Sequence, residues 1–548
     1  MKTTDMIVQK NKCYTMVVED LGSQGEGIGR IDGFAVFVEG ALPQEEIEVL
    51  IVKVNKNFAY GKLQKILKPS PKRVSPLCDV ASKCGGCQLQ HLNYEGQLQY
   101  KTKKVKMALK KIAKIDDVEV LPILGMQNCW RYRNKVQFPV KSDNQNVSIG
   151  FYGKRSHRII DTQKCFLQHE ISDKIIEIIR EFLKEYHISI YDEQSHKGLV
   201  RHILVKIGFQ TGQIMVCLVI NGESLPHKEI LIQQLQNIKG MTSIVCNINK
   251  EKTNVILGKQ NFVLWGKQSI IDTIGELEFE ISPLSFFQVN PFQTNVLYQK
   301  ALEFAQLNGD ETVLDLYCGI GTISLFFAQK AKYVLGNEIV AEAVEDAKRN
   351  AKRNCIENVD FLQGATEDVI PVLYEKGLQA DVVVLDPPRK GCDERLLNTI
   401  LKIAPKKIVY VSCDPATMAR DIKTFIEQGY CLNMVQPVDM FPHTIHVETV
   451  CLLSKLHANQ HIEVELQMDE LDLTAAESKA TYEEIKDYVL EHSGLKVSSL
   501  YIAQVKEKCG IIERVNYNLP KSENSRQPKC PPEKEAAIRE ALEYFRMI

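Results

Sequence analysis

The chain has 548 residues, 44% of them apolar and 25% charged, with a formal net charge of −1. These values describe an ordinary globular protein with room for three or four domains, and they exclude a global basic signal for nucleic acid. No apolar run approaches the ~20 residues that span a bilayer, and the opening stretch MKTTDMIVQKNKCYTM lacks the apolar core of a signal peptide.

Residues 12–68 predict a small closed β-barrel. Short alternating runs (TMVVEDL, FAVFVEG, EIEVLIVKV, AYGKLQKIL) are separated by glycine turns. Pro69, Pro71 and Pro76 then mark a linker. A second, β-rich region is predicted over 69–285. It opens with a cysteine cluster at 78–91 and a helix over 94–115, and carries one amphipathic helix near 172–186. Lys101, Lys103, Lys104, Lys106, Lys110 and Lys111 form either a local RNA-binding patch or one solvated helix face.

Over 286–456 the pattern changes to strand–helix alternation, with strands TVLDLY, YVLGNE, VDFLQG, DVVVLD, KIVYVS and VETVCLL. That is the signature of a doubly wound, Rossmann-like α/β sheet. Residues 457–548 predict a charged bridge followed by a helical extension. Part of it reads either as a helix–turn–helix or as an appended helical pair.

The turn Leu316-Tyr317-Cys318-Gly319-Ile320-Gly321 ends a strand and opens a helix, and Glu338 ends the next strand. A carboxylate there can accept the ribose hydroxyls of an adenosine cofactor. A dinucleotide fingerprint needs a third glycine, and Ser324 stands in its place. S-adenosylmethionine (SAM), which has no pyrophosphate to cradle, is favoured over NAD. Asp386-Pro387-Pro388-Arg389 follows another apolar strand. It puts a carboxylate at the strand end, where ligands bind in such sheets.

Cys413 lies just beyond the strand KIVYVS, on the same rim. A thiolate there can add to C6 of a uracil and so activate C5 toward a methyl donor. A base must then remove the C5 proton. Glu448 is the candidate, with His446 two residues earlier as its rival.

These motifs together resemble the RNA uracil-C5 methyltransferases, above all the cluster-bearing 23S ribosomal RNA enzymes. The likeness runs from about 14 to 456. It rests on Ser-Cys-Asp-Pro-Ala-Thr (412–417), Asp-Pro-Pro-Arg (386–389), Phe-Phe-Gln-Val-Asn (286–290) and His-Val-Glu (446–448). The resemblance implies Cys413 as nucleophile, Glu448 as base, and SAM contacts at Gln288, Tyr317, Glu338 and Asp386. It implies that the first region is a TRAM domain, an oligonucleotide-binding-like barrel for which Lys53, Lys56, Phe58, Tyr60 and Lys62 are plausible RNA contacts.

A cytoplasmic location is expected, where thiols stay reduced, so the sixteen cysteines read as ligands, nucleophiles or small buried hydrophobes. Cys78, Cys84, Cys87 and the distant Cys165 suit zinc or an iron–sulfur cluster. Spacing alone does not decide, and base rates lean to zinc. The resemblance implies [4Fe-4S], with a structural role. It also favours 23S ribosomal RNA over transfer RNA as the partner. A monomer is expected, with no membrane association and no evident protein partner. The competing functions are a transfer-RNA uracil methyltransferase, an amino methyltransferase and a non-catalytic RNA-binding assembly factor.

Overall fold

A computed structural model describes residues 8–143, 146–455, 482–509 and 530–545. The chain divides into two compact units, Met1–Ala458 and Asn459–Ile548. In the first, the alternating N-terminal runs become β1 (Cys13–Leu21), β2 (Gly27–Ile31), β3 (Phe34–Glu39), β4 (Glu46–Val54) and β5 (Phe58–Lys68). They close into a barrel in the order β1-β2-β3-β5-β4. Inward residues such as Val36, Val38, Ile47, Val49 and Ile51 are fully buried, which is the period-2 pattern at work. Gly61 is required here, because a Cβ would stand 2.1 Å from the Val49 side chain.

Helix α1 (Tyr94–Ala108) continues through a π-turn to Ala113. A seven-stranded sheet follows, built from β6 (Lys135–Asp143), β7 (Asn146–Tyr152), β8 (Ile159–Asp161), β9 (Val200–Ile207), β10 (Ile214–Ile220), β11 (Met241–Ile248) and β12 (Gln260–Gly266). Its order is β12-β11-β10-β9-β6-β7-β8. Helices α2 (Glu170–Glu185) and α3 (Lys228–Gln236) cover one face. In α2, Ile175, Ile179 and Phe182 recur at helical spacing and are buried. A hairpin, β13 (Ile270–Ile274) and β14 (Leu277–Ile281), then packs its apolar side into the core of the last layer.

That layer is a second seven-stranded sheet, alternating with helices. Its strands are β15 (Thr312–Leu316), β16 (Tyr333–Glu338), β17 (Val359–Gln363), β18 (Val382–Leu385), β19 (Lys407–Ser412), β20 (Tyr430–Val438) and β21 (Glu448–Lys455). The order is β17-β16-β15-β18-β19-β21-β20. The first five run parallel, and β21 is antiparallel to both neighbours. Helices α4 (Pro291–Ala305), α5 (Thr322–Ala328), α6 (Ala341–Arg353), α7 (Thr366–Glu375), α8 (Glu394–Ile403) and α9 (Pro415–Glu427) flank it. All four residues of β18 are buried, as strands covered on both faces must be. At ~1.5–3 kcal/mol per buried aliphatic side chain, such strands are a main source of stability. Helix α1 joins this layer through Val105, Ala108 and Leu109.

The second unit holds α10 (Tyr482–Ser493), α11 (Ser499–Lys508) and α12 (Pro532–Tyr544). They share one core around Val489, Ile502 and Ile538. The charged bridge read at 457–480 lies outside the described residues. Among the described residues no helix is long and apolar enough to cross a membrane.

Candidate active site

The register of the last sheet places five of the predicted site residues on one edge. Leu316 pairs with Asn337 on one side and with Leu385 on the other, so Tyr317 and Asp386 end neighbouring strands. Glu338 ends β16 beside them. Ser412 pairs with Thr449, so the next step sets Cys413 against Glu448. In strand order the edge reads Glu338, Tyr317, Asp386, Cys413, Glu448. With strands ~4.8 Å apart, Glu338 and Cys413 are separated by about 15 Å.

Local sequence explains how each residue is held. Asp414 caps α9 by accepting the N–H groups of Ala416 (2.9 Å) and Thr417 (3.1 Å), and Pro415 starts the helix. Ser412 Oγ accepts the Asp414 N–H at 3.1 Å. The Ser-Cys-Asp-Pro-Ala-Thr run is therefore a strand-to-helix turn that pins Cys413 from both sides. Tyr317 has φ of +70°, a left-handed conformation rare outside glycine. It turns the chain away from β15 into the glycine loop. Glu338 accepts the N–H groups of Gly319 (3.1 Å) and Val340 (2.9 Å), and so ties that loop to the neighbouring strand end.

The edge gathers acidic groups whose burial holds them toward their protonated forms. Burial, reinforced by the charge of Asp386, pushes the Glu448 carboxyl up to about 8, and Arg389 opposes the rise. Burial lifts Asp386 to about 7. Its surface is only partly covered. Burial pushes the Cys413 thiol up to about 11, with Glu448 and Asp386 adding to the rise and Arg389 opposing it. His446 falls to about 4 through burial and four nearby cations, Arg389 first. A ring that resists protonation so strongly is a weak proton acceptor beside Glu448.

Three participants were not singled out from sequence. Asp315 is fully buried, with its carboxyl raised to about 7, chiefly by burial with Asp386 and Glu338 adding. Ser324 donates to one of its oxygens, and the other has no partner. The acidic position in the run TVLDLY was the available signal. Tyr298 is buried among Asp386, Asp315 and Glu448, with its hydroxyl 3.0 Å from that of Thr322. No sequence pattern marks it. Arg389 stood in a quoted motif without a role, yet it acts on Cys413, Glu448 and His446 alike.

Gln288 lies in the loop before α4 and is placed by its backbone, whose carbonyl accepts from Asn134 at 2.9 Å. The lysine run divides: Lys103, Lys106, Lys110 and Lys111 are exposed, Lys104 is half-buried and Lys101 is buried. Lys101 is buried in an ion pair with Asp439, Lys104 donates to the Ile445 carbonyl, and Lys103 and Lys110 pair with Asp20 and Asp116. On the barrel, Phe58 and Tyr60 meet edge to face at 5.4 Å, with Lys53, Lys56 and Lys62 exposed around them.

Donor chemistry at the glycine loop fits SAM. Asp315 and Asn337 each keep a buried oxygen without a partner, and the space beside Gly319 is open. Cys78, Cys84, Cys87 and Cys165 are gathered in one neighbourhood. Burial pushes Cys87 up to about 12, and the other three thiols add to the rise. Cys84 Sγ accepts the Gly86 N–H at 3.4 Å. Cys165 is pushed up to about 11 by burial and receives backbone hydrogen bonds from Leu167 and Gln168. N–H groups aimed at sulfur suit thiolate ligands. Among the described residues, no three His, Cys, Asp or Glu side chains converge on a position for a single metal ion.

The tRNA (uracil-5-)-methyltransferase family model matches residues 93–456. The chain belongs to that family. A TRAM domain matches residues 8–63. Relatives include an uncharacterized RNA methyltransferase of Clostridium tetani, 57% identical over 82% of this chain and 98% of the relative. One from Halalkalibacterium halodurans is 51% identical over 81% and 98%. Among solved structures, the tRNA (uracil-54, C5)-methyltransferase of Pyrococcus abyssi, in complex with S-adenosyl-L-homocysteine, aligns with a TM-score of 0.66. It is 31% identical over 80% of this chain and all of that one. As a family member with a TRAM barrel, the chain meets the fold expected of it: barrel, β-rich middle, Rossmann-like layer and helical extension.

Proposed function

We propose that this chain methylates C5 of a uracil in RNA, using SAM, with Cys413 as nucleophile and Glu448 as base. The observation that carries the reading is the shared edge, on which a thiol and a buried carboxylate face each other across β19 and β21. The S-adenosyl-L-homocysteine bound to the Pyrococcus abyssi enzyme supports SAM as the donor.

When bound, SAM supplies an electrophilic methyl group. Its sulfonium carries positive charge, and the crowded carboxylates Asp315, Asp386 and Glu448 are suited to receive a cation. Glu338 and Tyr317 would hold the nucleoside end, and Gln288 would face the reacting end. The Cys413 thiolate adds to C6 of the uracil, which places negative charge on C5 and makes it a nucleophile toward the methyl group. C5 would take the methyl group as its bond to sulfur breaks and S-adenosylhomocysteine is released, and C5 would then bear both a methyl group and a proton. Glu448 removes the proton, the C5–C6 double bond reforms, and the thiolate leaves. Arg389 stabilises both the thiolate and the ionised Glu448.

The four gathered cysteines would hold a [4Fe-4S] cluster that orders the segments around them. The barrel, with its lysines around Phe58 and Tyr60, would bind RNA by charge and stacking. The likeness to cluster-bearing enzymes favours 23S ribosomal RNA as substrate. The family name and the Pyrococcus abyssi neighbour favour transfer RNA as the second reading. Mass-spectrometric mapping of both RNAs from cells lacking this chain separates the two. Loss of 5-methyluridine from 23S RNA is the expected result, and loss confined to transfer RNA would overturn the ribosomal assignment.

A further inference from the structure

His443 lies in the segment that joins β20 to β21, five residues before Glu448. It is buried, and its φ of +68° puts a non-glycine residue in the left-handed region. Such a conformation persists only where the surroundings impose it. Here both cysteine-bearing segments impose it. The His443 carbonyl accepts the N–H groups of Gln88 (3.1 Å) and Leu89 (3.0 Å), the two residues that follow Cys87. From the other side its ring stacks on Trp130, with centroids 3.7 Å apart and planes 20° from parallel. Trp130 in turn packs edge-on against Phe166 at 6.3 Å, the residue after Cys165. The next residue, Arg131, donates to the Cys165 carbonyl at 2.8 Å. A third hold comes from α1: the His443 N–H donates to Gln97 Oε1 at 2.8 Å, and Gln97 Nε2 lies 3.3 Å from the ring Nδ1.

The chain from His443 to Glu448 has little slack. Thr444 Oγ donates to the Phe441 carbonyl at 2.8 Å, and the His446 N–H reaches that same hydroxyl at 3.2 Å. Lys104 Nζ donates to the Ile445 carbonyl at 3.0 Å, and Val447 is fully buried. A displacement at His443 is therefore passed along the segment rather than absorbed. Cys413 is held separately, by the Ser412 and Asp414 bonds at the start of α9.

We propose that His443 is a positioning residue for removal of the C5 proton. It transmits the order of the two cysteine-bearing segments to Glu448, and it leaves the attack by Cys413 largely untouched. The proposal rests on the assignment of Cys413 as nucleophile and Glu448 as base.

The variants to compare are Trp130→Leu, which removes the stack; His443→Asn, which tolerates the left-handed backbone but cannot stack as the ring does; and Trp130→Phe, which keeps an aromatic face. On ordinary RNA the first two should lower kcat by about tenfold or more, with KM for RNA within about twofold of wild type. A covalent, methylated protein–RNA species should build up on denaturing gels. On RNA carrying 5-fluorouridine, where no C5 proton can be removed, their rate of adduct formation should match that of wild type. Trp130→Phe should recover most of the turnover. Adduct formation and turnover falling in parallel, or no change in either, would overturn the positioning role. A wild-type protein that forms no 5-fluorouridine adduct would overturn the nucleophile assignment itself, and the positioning role with it.

Discussion

Cys413 and Glu448 occupy facing positions on antiparallel neighbours, because Ser412 pairs with Thr449 one step earlier in the ladder. One strand spacing, about 5 Å, separates their backbones. A thiol that adds to C6 and a carboxylate that takes a proton from the adjacent C5 need to approach one ring from neighbouring points. The ladder supplies that relation directly.

Glu448→Gln keeps the shape of the side chain and removes its basicity. Turnover should fall about 10³-fold, within the range expected for loss of a general base. Attack by Cys413 and methyl transfer should survive, so a methylated covalent species should accumulate on ordinary RNA in a denaturing gel. Equal loss of the adduct would assign Glu448 to an earlier step.

The same substitution should stabilise the protein, in the absence of cofactor and RNA, more strongly at high pH. The folded-state carboxyl is raised to about 8 from an ordinary value near 4.5. The folded protein therefore binds the proton more tightly, and Glu448 lowers stability progressively as pH rises from about 4.5 to about 8. Glutamine removes that loss. Melting temperatures of the two proteins should diverge as pH rises from about 5 to about 8, in favour of the variant, and run parallel above that.

Arg389 opposes the upward shifts of Cys413 and Glu448 and helps to keep His446 neutral. Arg389→Gln should move the rising limb of the pH–rate profile to higher pH. A displacement of one unit means about tenfold less activity on the limb. The deficit should shrink toward pH 9. A uniform deficit at all pH values would point instead to lost RNA binding.

Lys101 and Asp439 form a buried pair that joins α1 to the segment before β21, and Lys101 also donates to the Phe441 carbonyl at 2.9 Å. Lys101→Met strands the carboxylate and should cost about 3–5 kcal/mol in urea unfolding. The double variant Lys101→Met with Asp439→Leu should cost less than the sum of the two single changes.

How far the sequence could be read followed from how local each signal was. Six strands of the last sheet show as apolar runs, and their shared rim followed from the strand–helix alternation; β20 (Tyr430–Val438), interrupted by Cys431, Asn433 and Gln436 and joined to β21 without a helix, was not read as a strand. The barrel followed from alternation and glycine turns. Lys101 reads as a surface charge because nothing nearby in sequence announces its partner, which lies 338 residues away. His443 was passed over for the same reason: its holds come from Gln88, Leu89, Gln97 and Trp130, all distant in sequence. Asp315 was hidden by its company, since one acidic residue in an apolar strand shows its burial only after folding. Gln288 was reached through family likeness alone, because a glutamine in a loop carries no distinctive pattern.

The most direct test incubates the protein with SAM and RNA in which the target uridine is replaced by 5-fluorouridine. Cys413 should form a covalent complex that survives denaturation. Its mass should equal protein plus methylated RNA, and its peptide map should place the RNA on Cys413. Cys413→Ala should form none. A complex attached elsewhere, or full methylation of ordinary RNA by Cys413→Ala, would contradict the covalent role of this thiol.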